Sequence, residues 1–185
     1  VERIGSGKVW YSRNAAATAQ VAQYRRISVS SDAATRVRSD APGRIDVHAP
    51  DGAVKATTGG NGTGSQWLGA AVTPDGRIAT SRTTPVRGVN LFDFSGVEVA
   101  SFDTPQVGGP GDLGVFSDGT LVAVDFGDNE LELYSPSGVH LGTFGALGMS
   151  SPWGCFVDSD DVLWVGAKAG IRRFDRSGAQ LGTTT

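Results

Sequence analysis

One turn signature recurs four times along this chain, and its spacing constrains the fold more than any other feature of the sequence. Asp32, Asp75, Asp118 and Asp160 stand 43, 43 and 42 residues apart. Gly52, Gly96, Gly138 and Gly178 follow at intervals of 44, 42 and 40, and Ile45, Val89, Leu131 or Ile171 precedes each by seven. Residues 30–52 and 116–138 align without a gap. A repeat of this period is one supersecondary unit that cannot cover both of its faces alone, so neighbouring units must stack.

Within the unit the pattern reads as four short strands. The third unit predicts them near 112–116, 120–125, 130–135 and 139–144, with "SDG" joining the first pair and "SPSG" the last. Both are turn sequences rich in small and φ-permissive residues. "TLVAVD" and "VLWVG" are apolar on successive residues, which predicts cover on both faces, whereas "ELELY" alternates as a half-exposed strand does. Stacked four-stranded antiparallel sheets at this period make an all-β fold, a β-propeller or a large part of one. Four full blades are expected at 24–66, 67–109, 110–152 and 153–185. Residues 1–23 are either an N-terminal half-blade, with "VERIGSGKVWYSRN" as its last two strands, or an arm with a short helix in "NAAATAQVAQYRR".

Composition agrees with short strands and tight turns: 27 glycines, and only 19% charged residues. No apolar run approaches the length that spans a bilayer. The first residue is Val rather than Met, which leaves a processed or excised origin open. Cys155 is alone and has no partner for an internal disulfide. Charge is uneven: residues 1–44 carry a net +5 and residues 45–185 a net −8, and the span 110–152 has six acids and no base.

The stretch "GTLVAVDFGDNELELYSPSGVHLGTFG" resembles the NHL-type repeat, with a small-residue turn, an apolar strand, Asp, and then Asn before the third strand. Units two and four lack that Asp and Asn, and unit one is the most degenerate. The likeness covers about 160 residues. It implies part of a six-bladed propeller, with open blade edges completed by another chain or a further segment. It also implies that Asp125 and Asn129 tie their loop to backbone groups. Related propeller lyases use His and a metal around the channel, and lactonase-like propellers a Glu, Asn and Asp set around a divalent ion. His48 and His140 lie beside the "DG/SG" turns, away from the varied loops, and none of Glu2, Glu98, Glu130 and Glu132 is on an expected inner strand.

The "DG/SG" rim is uniform from unit to unit, so function is expected on the opposite, varied rim. Its candidates are Asp125, Asp128 and Asn129, whose oxygens also suit calcium. Trp67 and Trp153 are stacking platforms or inter-blade plugs. Arg82 and Arg87 suit a carboxylate or phosphate, and Lys168 lies in the fourth unit's loop. The expected role is a non-catalytic binding or scaffolding module for a protein or glycan partner, without a cofactor. The alternatives are a metal-dependent lyase or lactonase-type propeller and an RNA-binding NHL-like module using Arg25, Arg26, Arg36, Arg38 and Arg44. The acidic remainder argues against nucleic acid. The Ala, Gly, Arg and Asp bias suits a bacterial or phage source and a secreted or viral assembly.

Overall fold

The computed structural model describes residues 2–4, 9–11, 24–29, 36–40, 44–48, 53–59, 67–83, 86–108, 110–145 and 149–184, with side chains from Ile45 onward except at 58–59, 67–68, 110 and 184. Strands β1 (Glu2–Ile4) and β2 (Val9–Tyr11) form a two-stranded antiparallel sheet. The expected helix falls mainly on residues outside those described. Four four-stranded antiparallel sheets follow, each in simple sequence order. Blade 1 holds β3 (Tyr24–Val29), β4 (Arg36–Asp40), β5 (Arg44–His48) and β6 (Val54–Gly59). Blade 2 holds β7 (Trp67–Val72), β8 (Ile78–Arg82), β9 (Gly88–Phe92) and β10 (Glu98–Asp103). Blade 3 holds β11 (Pro110–Val115), β12 (Leu121–Asp125), β13 (Glu130–Tyr134) and β14 (His140–Phe144). Blade 4 holds β15 (Gly154–Val157), β16 (Leu163–Ala167), β17 (Gly170–Phe174) and β18 (Gln180–Thr184).

The turns show why the repeat takes this form. Asp93 Oδ1 accepts from Ser95 N (2.8 Å), Ser95 Oγ (2.6 Å) and Val97 N (3.0 Å). Asp175 Oδ1 does the same with Ser177 N, Ser177 Oγ and Ala179 N at 2.9, 2.6 and 3.0 Å. One side chain thus satisfies the donors that a tight reversal would otherwise leave open.

The core lies between sheets. First strands meet in series, β3 against β7, β7 against β11 and β11 against β15. Ile45 and Val47 of blade 1 pack on Ala70, Ile78 and Phe92 of blade 2. Ala79, Val89 and Leu91 pack on Leu113, Leu121 and Tyr134 of blade 3, and Val122, Val124 and Leu131 on Cys155, Leu163 and Phe174 of blade 4.

Two strand readings need correction. β13 is not half-exposed: Glu132 is only 2% exposed, and its Oε2 meets His140 Nε2 at 2.6 Å and accepts from Thr143 Oγ1 at 2.8 Å. The outer strand satisfies the carboxylate, so an alternating sequence is buried on both faces. Nor is β16 covered on both sides. In the shared register, Trp164 and Arg173 occupy the places of Val122 and Leu133, and Ile171 that of Leu131. Leu131 is fully buried whereas Ile171 is 46% exposed, because no described strand stacks beyond blade 4.

Candidate functional site

The varied rim is stitched together by side-chain bonds to loop backbone. Asp125, at the end of β12, is fully buried. Its Oδ2 accepts from Gly108 N at 2.5 Å, in the connection from blade 2. Its Oδ1 accepts from Gly127 N and Asp128 N at 2.8 and 3.1 Å. Asn129, held at φ 63°, accepts from Ser151 N through Oδ1 at 2.7 Å and so ties the same loop to the connection into blade 4. Lys168 N donates to Ser150 O at 2.8 Å, which brings the β16–β17 turn against that connection. Asp125, Asp128, Asn129, Trp153 and Lys168 therefore share one loop cluster where blades 3 and 4 meet.

The two arginines sit one blade back and are committed locally. Arg82 donates from Nε to Val86 O (2.8 Å) and from Nη2 to Asp103 Oδ1 (2.6 Å). Arg87 Nη1 donates to Val107 O at 3.2 Å, next to the glycine that Asp125 holds. Trp67 opens β7, and its side chain lies outside those described.

Within the cluster, one surface is made for contact. Trp153, just before β15, is 58% exposed, and its ring stacks on Phe126 with centroids 4.6 Å apart and planes 10° from parallel. Phe126 belongs to the loop after β12, so the two rings come from different blades. The pair forms a flat aromatic plate with Trp153 its more exposed member. The carboxylate of Asp128 and the side chain of Lys168 are exposed in the adjoining loops. The sequence singled out Trp153; Phe126 it missed. The signal was its place directly after Asp125, at the head of a rim loop.

Further in, the blades carry polar groups that no local pattern announced. Asp112 is buried on β11; it accepts from Leu113 N at 2.9 Å and, across the seam, from Cys155 N at 3.0 Å. Ser81 Oγ accepts from Gly69 N at 2.8 Å and donates to Gly111 O at 2.9 Å, joining blades 2 and 3. Tyr134 has its phenol pushed well above the usual range by burial and by the charges of Glu132 and Asp125. His140 is taken up by Glu132 and packs beside the Tyr134 ring. Among the described residues, no three His, Cys, Asp or Glu side chains converge as a metal site. Asp125 already gives both oxygens to backbone N–H groups.

No protein-family model matches the chain, and no curated protein matches it. Solved structures do. Virginiamycin B lyase from Staphylococcus aureus superposes with a TM-score of 0.70 at 21% identity over 86% of this chain and 54% of that one. A catalytically inactive variant of that lyase, crystallised with quinupristin, gives 0.71 at 20% identity over 91% and 58%. A protein of unknown function from Bacteroides caccae gives 0.66 at 12% identity over 88% and 60%. The chain thus spans a little over half the length of the solved structures it matches. Likeness at these identities shows architecture alone, and with the four stacked sheets it establishes that the chain folds as a run of β-propeller blades.

Proposed function

We propose that this chain is a binding module that presents the varied rim of a propeller to a partner, with contact centred on the Phe126–Trp153 plate. The observation that carries the reading is Trp153 itself: a large aromatic, more than half exposed and fixed in orientation by a stacked neighbour. A stacked pair keeps its plane without ordering anything new on binding, and such rigid aromatics are the side chains that dominate recognition surfaces. The NHL-type likeness of the third unit belongs to the same reading, since Asp125 and Asn129 give the rim its rigidity. The test presents the immobilised chain to arrays of oligosaccharides and peptides beside Trp153→Ala and Ile171→Ala. Signal lost with the first variant and kept with the second supports the rim; signal that ignores Trp153 sinks it.

A second reading takes its support from the lyase fold neighbours: a metal-dependent lyase-type propeller. It requires chelator-sensitive turnover, and turnover insensitive to chelator removes it.

A further inference from the structure

The plate has the features of a carbohydrate subsite, and we propose that its ligand is an uncharged pyranoside; this rests on the rim-binding reading above. Three observations narrow the ligand class. The first is shape. Phe126 and Trp153 stack within 10° of parallel, and Trp153 is left open as a flat apolar surface. A flat plate rewards a ligand with one flat apolar face, as the axial C–H face of a pyranose is. Extended peptide side chains need pockets instead. Of the large exposed aliphatics, Val54, Val99, Leu141 and Leu181 lie along the fourth strands and Val97 and Val139 just before them, while Val86 stands in the rim loop of blade 2 and Ile171 near the start of β17. The cleft lined by Thr73, Leu91, Leu121 and Pro136 lies among the turns of blades 2 and 3, on the opposite rim.

The second observation is the polar border. Asp128 and Asn129 follow Phe126 by two and three residues, in the loop that Asp125 holds rigid. Asn129 spends its carbonyl on Ser151 N, which leaves its amide NH2 uncommitted to that contact. Asp128 offers an exposed carboxylate and Lys168 an exposed ammonium. Acceptors and donors at the border of an apolar plate suit ring hydroxyls, each of which gives and takes a hydrogen bond.

The third is charge. The loop around Phe126 carries Asp125, Asp128 and Glu130 and no base, against Lys168 at the border. A nucleotide also offers a flat face, but its phosphates would meet this field unfavourably.

The deciding experiment follows the four tryptophan indole N–H signals of the full chain by two-dimensional proton–nitrogen NMR. The probes are neutral gluco-, galacto- and manno-configured oligosaccharides, then uncharged peptides of matched size. A saturable shift of the Trp153 signal with at least one oligosaccharide is expected. Trp153→Ala should weaken that binding at least about tenfold, and Trp153→Phe should restore part of it. Amide dispersion reports that each variant is folded. Saturation by peptides through Trp153, with none by sugars, overturns the carbohydrate assignment and leaves the rim reading standing. No saturable shift with either class, or sugar shifts that persist in Trp153→Ala, overturns the proposal.

Discussion

Asp125 and Asp161 are both turn aspartates, yet their surroundings make them opposite kinds of residue. Asp125 is fully buried with three backbone N–H donors on its carboxylate. Removing it leaves buried donors without an acceptor, so Asp125→Ala should cost about 2–4 kcal/mol in urea unfolding, and Asp125→Asn less. Asp161 stands at φ 57°, where the matching turns of blades 2 and 3 have Gly76 and Gly119. Its side chain spans the seam: Oδ1 and Oδ2 accept from Ser117 N and Oγ at 2.8 and 2.6 Å, and Oδ2 pairs with Arg176. Arg176 also reaches Asp118 at 3.1 Å. Burial pushes the Asp161 carboxyl up, but the bonds from Ser117 and the Arg176 charge outweigh it and hold it below the ordinary value of 3.8. A carboxyl lowered in the folded state adds stability above its unfolded pKa and loses it as pH falls through the folded one. The gap in urea stability between wild type and Asp161→Asn should therefore be constant above about pH 5 and shrink below about pH 4. A gap that widens in acid would refute this. Asp125 and Asn129 were legible in the sequence because both belong to the NHL-type motif, although their cross-loop partners Gly108 and Ser151 lie outside it. Asp112 and Ser81 were not, because their partners sit 43 and 30 residues away on other blades. Only the stacking of blades brings them together.

At the scale of the strand and turn, the period sets a contact between blades as well as the shape of each. Gly138, at φ 88°, sits beneath the ring of Phe102 from blade 2, and Gly178, at φ 85°, beneath Phe144 from blade 3. A methyl at either place would collide with the aromatic and force an unfavourable backbone. Gly138→Ala and Gly178→Ala should each lower stability by about 2–4 kcal/mol by thermal or urea unfolding. The third and fourth strands carry a second regularity. Asn90 donates to Glu98 at 2.9 Å and Arg172 to Gln180 at 3.2 Å, in the register where Glu132 meets His140, and Thr57 donates to Asp46 at 2.8 Å as Thr143 does to Glu132. Residue type changes from blade to blade while the polar pairing persists, so repeated identities do not reveal it. The strands themselves were readable. The third unit's expected 120–125 and 130–135 became Leu121–Asp125 and Glu130–Tyr134, because turn residues mark strand ends chemically.

Taken whole, the molecule draws its stability from the seams between sheets, and the seams are unequal. Leu131 and Ile171 hold the same register position in blades 3 and 4, one sealed and one 46% exposed. Leu131→Ala should cost about 2–5 kcal/mol and Ile171→Ala under about 1 kcal/mol; equal losses would show that blade 4 is covered in solution. The outward face of blade 4 mixes apolar and charged groups. Phe156 is 44% exposed, Trp164 donates its indole N–H to Asp158 at 2.7 Å, and the Arg173 guanidinium lies over its ring at 5.3 Å. The solved propellers that share this architecture are longer than the chain. Apolar succession along "VLWVG" made blade 4 look sealed, because one blade's sequence says nothing of whether a neighbour is there to seal it.

The aromatic plate has one ring on each side of a seam. Phe126 is carried by blade 3 and Trp153 by the entry to blade 4, with the Asn129–Ser151 bond beside them. Neither ring alone offers the two-layered surface, so the site is lost when those sheets part, even if each keeps its own strands. A ligand gripping the plate would work as a rivet, and a pulling force along the chain would have to shear it before blade 4 peeled away. Recognition and mechanical resistance would then be read from the same pair of side chains.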